Sequence, residues 1–139
     1  MVKNLVIYYI EIILDTLKWS GPNVYDGSFQ TKSDLAAAAK GYIDQFENFS
    51  FVSGGVNPDN DGGYWGGNLY ADNGEINTAP NGIRIYGIWN ATHSETGAPV
   101  QLKFYAIQQF NEAGKVVLLN EWFDPSSMEN QIKAFVESK

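Results

Sequence analysis

One carboxylate in this sequence stands where chemistry would need it. Glu121 lies in the run 115–124 (KVVLLNEWFD), where Val117, Leu119, Glu121 and Phe123 share one face of an extended strand. A glutamate among apolar neighbours is held away from water. That raises its pKa and suits it to general acid or base work. His93 is the single histidine, so a histidine-centred acid–base pair has one candidate member. Its place at a strand end, followed by Ser94 and Glu95, is that of a solvated hairpin residue. Metal sites built from several histidines, or from thiolates, are excluded by count, since the chain has no cysteine.

Residues 57–62 (NPDNDG) match the first half of a calcium loop, with oxygen ligands at positions 1, 3 and 5 and glycine at 6. Position 12 is Asn68, where a bidentate glutamate is needed, so a turn is the better reading and no metal is expected. Residues 62–67 (GGYWGG) are glycine-rich but lack the lysine and following helix of a phosphate loop. Tyr64 and Trp65 in this run could instead close over a pocket as a lid. The Asn48 and Asn90 sequons read as chance matches.

The elements that must position Glu121 centre on residues 83–124, which hold three strand-like runs. Their connections, 94–97 (SETG) and 111–114 (NEAG), each end in a glycine able to take the positive φ of a short hairpin. An antiparallel meander follows. Upstream, residues 4–19 carry Asn4, Glu11, Asp15 and Lys18 at spacings that share one helical stripe, which predicts an amphipathic helix with a wide apolar face. Thr31 or Ser33 starts a second helix, alanine-rich, with Leu35, Ala38, Ala39, Tyr42, Ile43 and Phe46 as its apolar face. Gly41 inside it suggests a close approach to a neighbour. Residues 49–53 read as a short strand. Residues 54–82 read as a long glycine-rich loop, with 57–82 as an insertion and 68–71 as a brief strand within it. Asp124 and Pro125 then cap and start a last helix, with Met128, Ile132, Phe135 and Val136 as its stripe.

The length of 139 residues suits one domain with its own core. Nine basic against sixteen acidic residues give a net charge of −7, which repels a phosphate backbone or an anionic membrane. The apolar run 5–14 is interrupted by Glu11 and is far short of a membrane span. No cleavage site follows it, so the expectation is a soluble, cytoplasmic protein.

Helix, helix, short strand, meander and closing helix, in this order, resemble the nuclear transport factor 2-like superfamily and most of all its SnoaL-like, polyketide cyclase-like branch. Trp89, Thr96-Gly97, residues 110–116 (FNEAGKV) and 121–124 (EWFD) carry the resemblance, which covers 31–139 well and the N-terminus poorly. It implies one α+β domain over 1–139: a cone-shaped fold whose curved antiparallel sheet has the helices packed on its concave face. In epoxide hydrolases of the superfamily a pocket carboxylate lies three positions before the closing aspartate, the place of Glu121 here. The partner strand of those enzymes supplies an arginine and an aspartate two apart, and the corresponding positions are read as Ile88 and Asn90. Cyclases and dehydratases need their histidine inside the cone.

These incomplete acid–base sets favour a domain of unassigned activity that binds a small apolar molecule without a cofactor. The expected pocket is Tyr42, Tyr86, Asn90, Phe104 and Glu121. One alternative is a lyase, isomerase or hydrolase that uses Glu121 with Asn90 or Tyr86. Another is a protein-interaction module that uses the acidic 57–82 loop. In the first meander strand, Ile83, Ile85 and Trp89 point one way and Tyr86 and Ile88 the other. Apolar residues on both faces of a one-layer sheet predict a homodimer through the convex face.

Overall fold

The structure, a computed structural model, describes residues 11–53, 63–66 and 81–139, with 63–66 given by their backbone alone. The meander forms as its turns dictate. Strand β4 (Gly82–His93) pairs antiparallel with β5 (Pro99–Phe110), and β5 with β6 (Val116–Trp122). Gly97 at φ 73° and Gly114 at φ 72° take the left-handed conformation that closes each hairpin. Register then fixes the faces. Glu121 lies opposite Ala106, and Ala106 opposite Ile85. Those three therefore share one face, and Trp122, Tyr105 and Tyr86 share the other.

The sheet order is β1-β6-β5-β4-β2, with β3 also paired to β4. It is antiparallel except where β1 (Ile13–Ser20) runs parallel to β6. This strand corrects the helix expected over 4–19. Glu11 and Ile12 are helical, but from Ile13 the chain is extended, and residues 1–10 lie outside the described part. The register shifts between Ile13 and Lys18. That irregularity breaks the alternation, so Asp15 and Lys18 fall at a helix-like spacing although both lie exposed on a strand. Ile13, Leu17 and Trp19 are buried, each worth on the order of 1.5–3 kcal/mol of apolar burial. Two lysines hold the helix-to-strand transition: Lys32 Nζ donates to the Ile13 carbonyl at 2.8 Å and Lys115 Nζ to that of Glu11 at 3.0 Å.

Helix α1 (Lys32–Gln45) starts at Thr31 through a reciprocal capping box. The Asp34 amide donates to the Thr31 hydroxyl at 3.3 Å, and the Thr31 amide donates to the Asp34 carboxylate at 2.8 Å. Leu35 is buried against β1 and β6, with Ala38 packed beside it. Gly41 has no described atom within 4 Å of where a Cβ would stand, so the close approach read into it is absent among the described residues. Phe46 leaves the helix and starts β2 (Phe46–Ser53), buried with Val100 and Met128. Helix α2 (Pro125–Glu137) begins on Asp124, whose carboxylate accepts from the Ser126 amide at 3.0 Å. Met128 and Ile132 cover Val100 and Leu102.

Both helices thus lie on the Glu121 face, here termed inner. At the start of β6 the buried residue is Val116 rather than Val117, because the register shifts between Gln109 and Phe110. Within the expected loop, Gly63–Gly66 forms strand β3, antiparallel to β4. The calcium-like 57–62 with Asn68, and the 68–71 strand, lie outside the described residues. No described helix is long and apolar enough to cross a membrane.

Candidate functional site

Glu121 faces the helices from β6, directly opposite Ala106 of β5. Its Oε2 accepts a 2.8 Å hydrogen bond from the indole Nε1 of Trp19, which β1 brings alongside by pairing Trp19 with Leu119. Among the described residues Oε1 has no hydrogen-bond partner. Aromatic side chains share its face. Phe123 follows two residues on along the same face, and Phe104 of β5 packs on it with ring centroids 5.9 Å apart. Tyr42 meets Phe123 edge-on from α1, at 6.4 Å. Phe104 continues into Trp89 and Phe51, whose own centroids are 4.8 Å apart. Gly87 is what lets the Phe51 ring lie down there: a Cβ at Gly87 would come within 2.3 Å of Phe51 Cζ and 2.6 Å of the Val52 carbonyl.

The electrostatics follow from this packing. Loss of water around Glu121 pushes its pKa up from 4.5 to about 6, and the Trp19 hydrogen bond opposes the rise by stabilising the carboxylate. The Tyr42 phenol is also raised, first by burial and second by the negative charge of Glu121. Tyr42 and Glu121 therefore sense one another across the inner face.

The structure gathers Tyr42, Phe104 and Glu121 and separates the other two expected pocket residues from them. Tyr86 and Asn90 are on the outer face, with the parity of Tyr105 and opposite to that of Ala106. Tyr86 instead stacks on Tyr105 at 4.7 Å, and Tyr105 on Trp122 at 5.1 Å. Asn90 accepts from Gln101 Nε2 at 2.9 Å and lines a shallow hollow of about 390 Å³ at the sheet end, with Asn48, Thr92, Pro99 and Gln131. Neither can partner Glu121. Ile88, of the same parity as Asn90, also faces outward. The inner-face positions of β4 are Ile85, Gly87 and Trp89, and those of β5 beside Glu121 are Phe104 and Ala106, so neither strand sets an arginine–aspartate pair there.

His93 ends β4, its Nδ1 2.9 Å from the Thr96 hydroxyl and its ring against Phe46. It is eight residues along the strand from Ile85, the residue in line with Glu121 (93 − 85), or roughly 25 Å at ~3.3 Å per residue. His93 is a turn residue, not an acid–base partner of Glu121. Tyr64 and Trp65 lie in β3, paired to Arg84 and Ile83, so their backbone is sheet where a lid loop was expected. Of the acidic 57–82 stretch, 57–62 and 67–80 lie outside the described residues. No group of three or more acidic or histidine ligands forms among the described residues.

Trp19 is the residue that sequence reasoning missed, because a helix was assigned to its segment. The alternation of Leu17, Lys18 and Trp19 was the available signal.

No family profile and no curated protein sequence matches the chain. Solved structures do. A nuclear transport factor 2-like protein of unknown function from Exiguobacterium superposes with a TM-score of 0.58 at 12% identity, over 88% of this chain and 86% of that one. A protein of ketosteroid isomerase-like fold from Catenulispora acidiphila, in complex with trimethylamine, gives 0.59 at 9% identity, over 89% and 78%. An LEH-like epoxide hydrolase of M. tuberculosis gives 0.57 at 9% identity, over 98% and 83%. The chain has the nuclear transport factor 2-like fold. Identities this low speak to the fold alone, since one fold carries many chemistries. In the terms of that fold, the inner face is the inside of the cone, and Glu121 is a carboxylate within it.

Proposed function

We propose that the chain binds a small, mainly apolar molecule inside the cone, held by aromatic side chains with Glu121 as the polar contact. The observation that carries this is the arrangement of Glu121. One carboxylate oxygen is tied to Trp19 and the other is without a partner among the described residues, on an apolar face that also carries the packed rings of Tyr42, Phe104 and Phe123. Ligand sites are commonly of this composition, apolar and aromatic with a few placed polar groups. The 110–116 and 121–124 motifs support a place in the SnoaL-like branch. A thermal-shift and calorimetric panel of steroids, polyketides and terpenoid epoxides tests the binding. No shift with any apolar ligand would defeat it.

A second reading, acid–base catalysis, is favoured by one observation: a pKa of about 6 keeps Glu121 near the operating range of a general base. Its polar neighbours are Trp19 and Tyr42, in place of Asn90 and Tyr86. Turnover of a panel substrate that survives Glu121→Gln would remove this reading.

The homodimer belongs to the same proposal. The outer face carries the stacked row Tyr86–Tyr105–Trp122, in which Tyr86 is 37% and Trp122 46% exposed. A partly exposed aromatic row of this kind suits burial against a second sheet. A monomer by light scattering at micromolar concentration would refute it.

A further inference from the structure

The charge of Glu121 has no counter-charge within the described chain. Lys18 sits over the Phe29 ring, Lys32 is held by the Ile13 carbonyl and Asp15, and Lys115 by the Glu11 carbonyl. Lys40 and Lys133 pair with Asp44 and Glu137 along their own helices, and Lys139 lies over Phe135. Arg84 and Lys103 have the parity of Tyr86 and Tyr105 and stand on the outer face. Of the nine basic residues only Lys3 lies outside the described part. At neutral pH a carboxyl with a pKa of about 6 is mostly ionised, so the inner face holds a largely uncompensated negative charge. A partly desolvated charge costs free energy unless a cation or further hydrogen bonds meet it.

What surrounds that charge is specific. The indole of Trp19 occupies Oε2, Phe123 lies two residues on along the same face, Phe104 and Tyr42 pack on Phe123, and Tyr42 is near enough to feel the Glu121 charge. Ring faces carry negative electrostatic potential and attract cations, organic ammonium groups above all. A carboxylate set among aromatic rings offers both halves of such recognition: a counter-ion for the charge and ring faces for the alkyl groups that spread it. A neutral ligand would use the rings and leave the charge unmet.

We propose that the inner-face site takes an organic cation, a small alkyl- or arylammonium whose charge meets Glu121 Oε1 and whose carbon substituents lie against Tyr42, Phe104 and Phe123. This rests on the cone-binding reading above and names the ligand class for it. The test compares choline with dimethylbutanol, its uncharged carbon isostere. Calorimetry and the indole N–H resonance of Trp19 are the readouts, on the full chain. Choline should bind about ten- to hundredfold more tightly than the isostere. Glu121→Gln keeps an acceptor for Trp19 and should sharply reduce that preference. Circular dichroism and a retained Trp19 indole resonance show that the variant has folded. If the isostere binds as well as choline, or the variant binds choline unchanged, the cation assignment is overturned and the cone-binding reading stands. If neither binds while a neutral apolar ligand does, the assignment likewise falls alone. If nothing in either panel binds, both fall.

Discussion

Burial of Glu121 makes a stability prediction with a definite sign. The folded-state pKa is about 6, against an ordinary 4.5 that serves for the unfolded chain. The folded protein therefore holds the proton more tightly. The protonated carboxyl contributes stability that is fully present below pH 4.5 and is lost as pH rises through about 6. A shift of this size is worth about 2 kcal/mol at ~1.4 kcal/mol per pKa unit. Glu121→Gln is a neutral isostere that still accepts from Trp19 Nε1. It should be more stable than the parent protein by up to about 2 kcal/mol at pH 8, and the advantage should vanish near pH 4. Denaturant melts of both proteins across that range measure it. The difference between them matters, not either curve alone, because Asp15, Asp26 and Asp34 have lowered pKa values that act in the opposite direction in both. Tyr42 supplies an internal check: with the charge of Glu121 gone, its phenol should titrate at lower pH in the variant. A variant less stable than the parent at pH 8, or a difference that does not change with pH, would refute the reasoning.

Three further outcomes follow from the same geometry. Trp19→Phe removes the donor that holds the Glu121 pKa down, so carboxyl titration by carbon NMR should move further upward; an unchanged value would show that the hydrogen bond is not formed in solution. Gly41→Ala, with open space around its Cβ, should stabilise the protein by roughly 0.5–1 kcal/mol in a thermal melt, and a loss would reveal a neighbour that the described residues do not show. Gly87→Ala must displace the Phe51 ring and the Val52 carbonyl, which should cost about 1–3 kcal/mol by denaturant melt; a neutral result would mean that Phe51 does not lie over Gly87.

The sequence by itself determined what depends on neighbours along the chain. Gly97 and Gly114 close the hairpins because their positive φ is a local requirement, and Asp124 with Pro125 starts α2 because capping involves adjacent residues only. Alternation along β4 likewise separated Ile85 and Trp89 from Tyr86 and Ile88. Which of those two sets faces the helices was not local. It depends on the register that carries Glu121 to Ala106 and Ala106 to Ile85, and that register sent Tyr86 and Asn90 outward. Residues 13–20 show the limit most clearly. Their irregular pairing mimics a helical stripe, and it is pairing with the distant strand β6 that holds them extended. The site itself is decided at the same level. Trp19 and Glu121 are 102 residues apart in sequence and 2.8 Å apart in space. Short-range pattern therefore marked Glu121 as a carboxylate among apolar residues. Tertiary structure alone supplied its hydrogen-bond donor, its aromatic frame and the absence of a described cation beside it.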